Sequence, residues 1–307
     1  MSRSSAAGTL AYARDTRGPI GKARGFLIFL TGSLLLGGSV IFCNFLQMLT
    51  LLIRPFSSGV FRIANRKIAG TWWKACVIWM ENVVRVKVDF TGDDLPPDEN
   101  AIVFSNHQQM PDILVLMALA APKGRLGDLK WFVKEVLKYV PGIGWGMLFL
   151  DCLFVKREWT ADRQRIEATF KKYRDARIPF WLISFVESTR ITPAKLAKAQ
   201  EFARKRGLYI PQRVLVPRSR GFIASVEGLG ELADSVYDVT IAFEGGIPSL
   251  YQYLAGVTPR VAVHVKRFLR AELPATEIGL ADWLAKRFVE KDERLVQFQK
   301  SGSLEIR

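Results

Sequence analysis

Residues 26–53 form a run of 28 positions without a formal charge, mostly Leu, Ile, Phe and Gly. No other feature constrains the fold of this chain as strongly. Roughly 20 apolar residues span a bilayer core, so the run is long enough to cross one with tilt. It is too long for the apolar core of a secretory leader, and no small-residue cleavage site follows it. The run predicts a retained membrane anchor, with a buried core helix as the plain alternative. Arg14, Arg17, Lys22 and Arg24 precede it, and Arg54, Arg62, Arg66, Lys67 and Lys74 follow it. Cations on both flanks give no orientation by charge bias. A re-entrant pair of short helices, broken near Gly37-Gly38, is the alternative to one span. Each half would be roughly 20 Å long, too short to cross. Residues 71–84 set Trp72, Trp73 and Trp79 beside Lys74 and Glu81, which fits an interfacial amphipathic helix or a core-facing one.

Three regions follow: a basic N-terminal segment at 1–25, an anchor with its interfacial helix at 26–90, and a folded domain at 91–307. After the turn-rich Asp93-Asp94-Leu95-Pro96-Pro97 the pattern becomes globular. Short apolar runs at 101–104, 147–155, 180–185 and 214–216 predict strands. The alternating runs at 237–243 and 261–268 predict half-buried strands. Helices are predicted at 112–121, 161–174, 193–206, 223–234 and 280–299, and the amphipathic stretch 129–140 ends at Pro141-Gly142. Strands alternating with helices predict an α/β fold with a mainly parallel central sheet flanked by helices.

The chain carries a net charge of +15. Eleven of those charges lie in residues 156–220. A basic tail would have suggested nonspecific nucleic-acid binding. A mid-chain excess suggests an anionic lipid surface, an anionic substrate, or a solvated lysine-rich face. Three scattered cysteines and two histidines leave no disulfide framework and no metal site to expect. The serine-elbow, zinc-protease and P-loop motifs are also absent from the sequence. His264, in Val-Ala-Val-His-Val, reads as a structural strand histidine.

Four short stretches could carry chemistry. In Ser105-Asn106-His107-Gln108-Gln109-Met110-Pro111-Asp112, Pro111 suits a first helical position, so His107 belongs to the preceding loop. Loop curvature can bring Asp112 to His107, where an unbroken helix would hold them about 140° apart. A carboxylate on one ring nitrogen would fix the tautomer of a general base. The plain reading is a helix-capping Asp112 and a polar loop histidine. Glu187-Ser188-Thr189-Arg190 follows an apolar strand, where ligands of α/β sheets bind and an arginine can hold phosphate. Lys156-Arg157 also follows a strand, and Pro217-Arg218 lies in a further basic loop. Each stretch alone is as compatible with a solvated surface as with a site.

In this order the four resemble the blocks of the glycerolipid acyltransferase family, which acylates lysophosphatidic acid and related lysophospholipids. Asn106-His107 through Asp112 is similar to its N-H-x-x-x-x-D block, and Lys134 through Arg157 to its second. Glu187 through Arg190 resembles its E-G-T-R block, with Ser188 for glycine, and Val216-Pro217 its fourth. The resemblance covers roughly residues 70–300. It looks most like the branch with 1-acylglycerol-3-phosphate, lysocardiolipin and lysophosphatidylinositol acyltransferases.

The resemblance implies acyl transfer from acyl-CoA, or acyl carrier protein, to a lysolipid hydroxyl. His107 would be the general base and Asp112 its support. Asn106, Lys156, Arg157, Glu187, Ser188, Thr189, Arg190, Pro217 and Arg218 would line the substrate site. No cofactor or metal would be needed, acyl-CoA being a co-substrate. Partners would be the lysophospholipid, acyl-CoA and a bilayer containing anionic lipid, with no nucleic acid. The location would be the bacterial inner membrane, or the endoplasmic reticulum in a eukaryote, with the active site facing the cytoplasm. A non-catalytic anionic-lipid-binding protein and a hydrolase on the same fold are the competing functions.

Overall fold

In the computed structural model, which describes residues 10–156 and 158–305, the apolar run lies within one unbroken helix, α1 (Pro19–Leu49). Pro19 at its first position has the backbone angle a helix start needs and lacks only an amide that would be orphaned anyway. The helix passes through Gly37-Gly38 without a break, so the re-entrant pair divided there is not formed. Extended by a short turn to Leu52, this is the one helix among the described residues long and apolar enough to cross a membrane.

The chain turns back at 50–57 instead. Ser57 caps α2 (Ser58–Ile78), its side chain accepting from the Val60 amide at 3.2 Å. A π-helical turn continues α2 to Val84, and Arg85 ends it in a left-handed conformation. The two helices pack through small residues of α1: the Trp72 indole donates to Leu36 O at 3.1 Å and Ser39 Oγ at 3.2 Å. A Cβ on Gly32 would lie 2.6 Å from the Trp79 indole nitrogen. Trp73 is buried, so the tryptophans of α2 turn toward protein, as a core-facing helix requires.

The remaining elements are β1 (Lys87–Gly92), β2 (Ala101–Ser105), α3 (Pro111–Ala120), β3 (Leu129–Lys134), α4 (Ile143–Phe149), β4 (Leu153–Val155), α5 (Trp159–Asp175) and β5 (Trp181–Ser184). Then follow α6 (Pro193–Lys205), α7 (Ser219–Leu229), β6 (Ser235–Phe243), α8 (Leu250–Leu254), β7 (Arg260–Leu269) and α9 (Glu277–Ser301). Seven strands form one sheet in the order β1-β7-β6-β2-β5-β3-β4. All neighbours are parallel except β6 and β7. The α/β fold with a mostly parallel sheet is therefore as the sequence predicts.

Several boundaries differ. Residues 129–140 divide into β3 and a 3-10 turn, because Leu129–Val133 pair with β5 and β4. The run 147–155 divides into the end of α4 and β4, and 214–216 is a loop.

The sheet is covered on both faces. Ala101 and Val103 of β2 face one cluster with α2 and α3. Ile102 and Phe104 face the other, with α5, α7 and α9. A strand buried on both faces has no polar alternation to keep, which is why β2 reads as a continuous apolar run. β6 is buried throughout rather than half-buried as its alternation predicts, because Lys291 partners its Asp238 and Thr240.

Candidate active site

The candidate residues gather at the carboxyl ends of β2 and β5, the edge where open α/β sheets bind ligands. His107 leaves the end of β2 in the loop before α3. Its Nδ1 lies 2.9 Å from Asp112 Oδ2. That oxygen also accepts the amides of Gln108 at 2.7 Å and Gln109 at 3.0 Å, so one carboxylate curls the loop onto the helix start. Asp112 is fully buried, and its Oδ1 has no hydrogen-bond partner among the described residues. Burial pushes the Asp112 carboxyl upward, against the pull of the His107 ring and the two amides. The imidazole stacks on Phe185 with centroids 3.9 Å apart and planes 14° from parallel, which fixes its second axis of rotation. Its side chain stays 14% exposed, and Nε2 makes no hydrogen bond among the described residues. An oriented imidazole with one ring nitrogen on a carboxylate and the other available is the geometry of a general base.

Asn106 does not face this opening. Its Oδ1 accepts from the Ile241 amide and its Nδ2 donates to the Ile241 carbonyl, both at 2.9 Å. The side chain is buried and ties the loop to β6, a structural contact in place of an exposed one.

Glu187 is also buried and turned inward. Oε1 accepts the His107 amide at 2.9 Å and Oε2 the Leu215 amide at 3.0 Å. It therefore does not pair with Arg190, and its carboxylate is closed off from solvent. It joins the first, third and fourth blocks. Burial pushes its carboxyl up to about 8, only partly offset by those two amides. Two backbone bonds complete the joint: Ile191 N–H to His107 O at 2.9 Å, and Arg218 N–H to Val186 O at 2.8 Å.

Ser188 closes a turn, its amide donating to Phe185 O at 2.8 Å, with φ at +60°. Only glycine adopts that left-handed conformation without strain. Arg190 is exposed and donates to Gln109 Oε1 at 2.5 Å, which sets its guanidinium beside the His107 loop. Lys195 donates to Thr189 Oγ1 at 2.5 Å and to Arg190 O at 3.1 Å. It is a cation of this cluster that the motif reading missed. Pro217 is half-buried and Arg218 exposed on the adjoining loop. Lys156 stands apart: its Nζ lies 4.0 Å from Glu135 and its amide donates to Asp162. Arg157 lies outside the described residues.

Two neighbours on α9 hold this arrangement from behind. Lys291 is wholly buried and donates to Asp238, to Val239 O at 2.6 Å and to Thr240 Oγ1 at 3.2 Å. Asp292 accepts the amides of Gln212 at 2.9 Å, Arg213 at 2.5 Å and Val214 at 3.0 Å, with the Tyr209 hydroxyl at 2.9 Å. Their signal in the sequence is a Lys-Asp pair on the apolar stripe of Leu284, Phe288, Leu295 and Phe298. Charges on such a stripe need partners to be buried. His264 lies on β7, with Nδ1 3.2 Å from Thr91 Oγ1 and β6 between it and β2.

The fold and these blocks define an acyltransferase. The chain belongs to the acyltransferase family, whose model matches residues 87–244, and the model named acyltransferase C-terminus matches residues 252–306. The chain is similar to 1-acyl-sn-glycerol-3-phosphate acyltransferase 3 of Arabidopsis thaliana, 33% identical over 280 residues, 89% of this chain and 74% of that one. It is similar as well to lysocardiolipin acyltransferase 1 of Danio rerio, 36% identical over 280 residues, 90% of this chain and 71% of that one. Its fold matches the crystal structure of the 1-acyl-sn-glycerophosphate acyltransferase PlsC of Thermotoga maritima, with a TM-score of 0.51 at 20% identity, covering 89% of this chain and 94% of that one. The family read from the four blocks is thus the family found.

Proposed function

We propose that the protein transfers a fatty acyl group from acyl-CoA, or from acyl carrier protein, to the free hydroxyl of a lysophospholipid such as lysophosphatidic acid. The observation that carries this reading is His107, held by Asp112 at 2.9 Å and stacked on Phe185 at the sheet's carboxyl edge. His107 Nε2 takes the proton of the lysolipid hydroxyl as that oxygen attacks the thioester carbonyl. The tetrahedral centre collapses, the carbon–sulfur bond breaks, and the leaving sulfur takes the proton from His107, which releases the thiol and restores the base. Asp112 stabilises the imidazolium formed in between. Arg190 and Lys195, with Arg218 on the adjoining loop, supply cations for the lysolipid phosphate. The names of the relatives, two of which act on lysolipids of this class, support the acceptor.

The anchor fits the same chemistry. The N-terminal half of α1 packs on α8, with Phe29 and Tyr251 rings 5.0 Å apart. Its C-terminal half packs on the start of α4, where the Gly142 amide donates to Asn44 Oδ1 at 2.8 Å. Both halves therefore lie along one domain. In this reading the exposed side of α1, with Leu27, Leu34 and Phe42, lies in the bilayer face beside the site. Both acyl chains then stay near lipid, which avoids about 0.8 kcal/mol of exposure per CH₂. The thioester donors are cytoplasmic molecules, which sets the site on that side.

The test is His107→Ala in purified protein with acyl-CoA and a panel of lysolipids. Diacyl product formation should fall about 10³-fold in kcat, with the fold intact by circular dichroism. Near wild-type turnover removes the proposed base. Free fatty acid in place of diacyl product reassigns the enzyme as a hydrolase.

A further inference from the structure

The second block gives rise to a surface that the acyl-transfer chemistry does not use. Between β3 and β4 the chain forms a 3-10 turn, Glu135–Tyr139, and then α4. Both lie at the carboxyl edge of the sheet, the edge of the candidate site. Neither turn nor helix buries most of its apolar side chains: Val136, Tyr139 and Ile143 are 60%, 71% and 54% exposed. The segment Leu126–Val133 just before them is almost wholly buried, so the change in pattern is abrupt. Isolated exposed apolar residues need no explanation, but a contiguous group does.

This group is continuous with the tip of the α1–α2 hairpin. Gly142 sits against Val40 and Ile41 of α1, where a Cβ would meet them at 3.1 and 3.7 Å. Phe149 of α4 meets Phe61 of α2 with centroids 6.4 Å apart. The adjoining hairpin tip exposes Leu52 and Phe56 at 72% and 88%. Cations border the combined surface: Lys138 lies over the Tyr139 ring at 5.0 Å and Arg54 over the Phe61 ring at 5.6 Å. Aromatic rings paired with snorkelling cations suit the boundary between headgroups and acyl chains.

We propose that the second-block turn and α4 form a second membrane-docking element, which inserts its apolar side chains beside the hairpin tip. The occupant is a lipid surface bearing anionic headgroups. The consequence is that the catalytic domain touches the bilayer at the edge carrying His107, so a lysolipid reaches the site by lateral movement within the leaflet. This inference rests on the anchoring of α1 described above and extends it from the hairpin to the catalytic domain.

The experiment places p-benzoylphenylalanine, one position at a time, at Leu52, Tyr139 and Ile278 of the full-length protein. Ile278 is 78% exposed on α9, which covers the opposite face of the sheet. Each protein is irradiated on vesicles of phosphatidylcholine mixed with anionic phosphatidylglycerol, and lipid adducts are counted by mass spectrometry. The expected result is adducts at 139 comparable with those at 52 and on the order of tenfold above those at 278. Adducts at 52 without adducts at 139 overturn the docking element and leave the anchor standing. Adducts at neither position overturn the anchor itself. Equal adducts at all three overturn the placement of contact at this edge.

Discussion

Loops 106–110 and 209–218 meet at Glu187, which accepts one amide from each, and differ in what else holds them. The first is tied at its start to Ile241 and Glu187, but its curl onto the helix is made by its own sequence. Asp112, at most five residues away, takes the His107 ring and two amides on one oxygen. The second is folded by side chains far along the chain. Asp292 takes three of its amides from about 80 residues away, and Glu187 takes a fourth from 28 away. A short local loop must reproduce one catalytic geometry, so its carboxylate shares contacts with the reacting group. A long distant one needs only to be placed, and its carboxylates bind its backbone amides and the Tyr209 hydroxyl, with no reacting group among their partners. Substitutions should therefore separate turnover from binding between the two.

The largest effect is expected at Asp112→Asn. The asparagine carbonyl can occupy the position of Oδ2 and keep the ring and both amides, while its NH₂ takes the place of the orphaned Oδ1. Geometry survives and the negative charge is lost, so the imidazolium loses its support. We expect kcat to fall about 10³-fold with KM nearly unchanged, measured by steady-state kinetics on a vesicle-borne lysolipid. A selective rise in KM would show that Asp112 places the loop and does no more.

Glu187→Gln should come next. Both groups facing Glu187 are N–H donors, so the new NH₂ must oppose one of them. A loss of about 2 kcal/mol in stability is expected from urea melts above about pH 8, where the wild-type carboxyl is ionised and accepts both amides. In the wild type the Glu187 carboxyl ionises near 8 when folded and near its ordinary 4.5 when unfolded. Between those values the folded chain holds a proton that the unfolded chain has released. The resulting stability is complete below 4.5 and is lost as pH rises toward about 8. Melts from about pH 5 to about pH 9 should show this decline in the wild type and not in the variant.

These contrasts also explain what could be read before the structure. The His107–Asp112 contact was legible because Pro111 forces a helix start between them, and a start is a local property. The strands were legible where burial on both faces gives continuous apolar runs, as in β2. The strand at 214–216 was not formed because its amides face Glu187 and Asp292, partners that the local pattern does not contain. The inward direction of Glu187 and Asn106 is not legible in the sequence, because a polar residue at a strand end looks the same whether it faces outward or inward. The direction depends on which distant amide needs a partner. The alternative of a break at Gly37-Gly38 is not realised: both glycines meet nothing within 4 Å, and a helix tolerates them. Propensity costs of about 1 kcal/mol each do not break a helix of 31 residues packed along a domain.

Asp292→Asn should act on binding. An asparagine oxygen can still accept two amides, but its NH₂ faces a further donor, and burial already pushes the Asp292 carboxyl upward. The loop bearing Pro217 and Arg218 should loosen. We expect KM for the lysolipid to rise about fivefold with kcat within about twofold, the reverse of Asp112→Asn. Equal losses in kcat from both variants would show that the two loops form one catalytic unit.

The smallest effect is expected at Ser188→Gly, and its sign is opposite. Ser188 holds φ at +60° to close the turn that aims Glu187 inward and Arg190 outward. A residue with a Cβ costs about 1 kcal/mol or more in that conformation, whereas glycine adopts it freely but adds freedom to the unfolded chain. The net expectation is a gain of about 0.5 kcal/mol, read as a rise in the urea midpoint at unchanged slope. If Ser188 serves only as a turn position, KM for the lysolipid stays at the wild-type value. If its hydroxyl contacts the headgroup, KM rises while stability improves. The variant thus separates a backbone constraint, which glycine satisfies better, from a side-chain contact, which glycine cannot make.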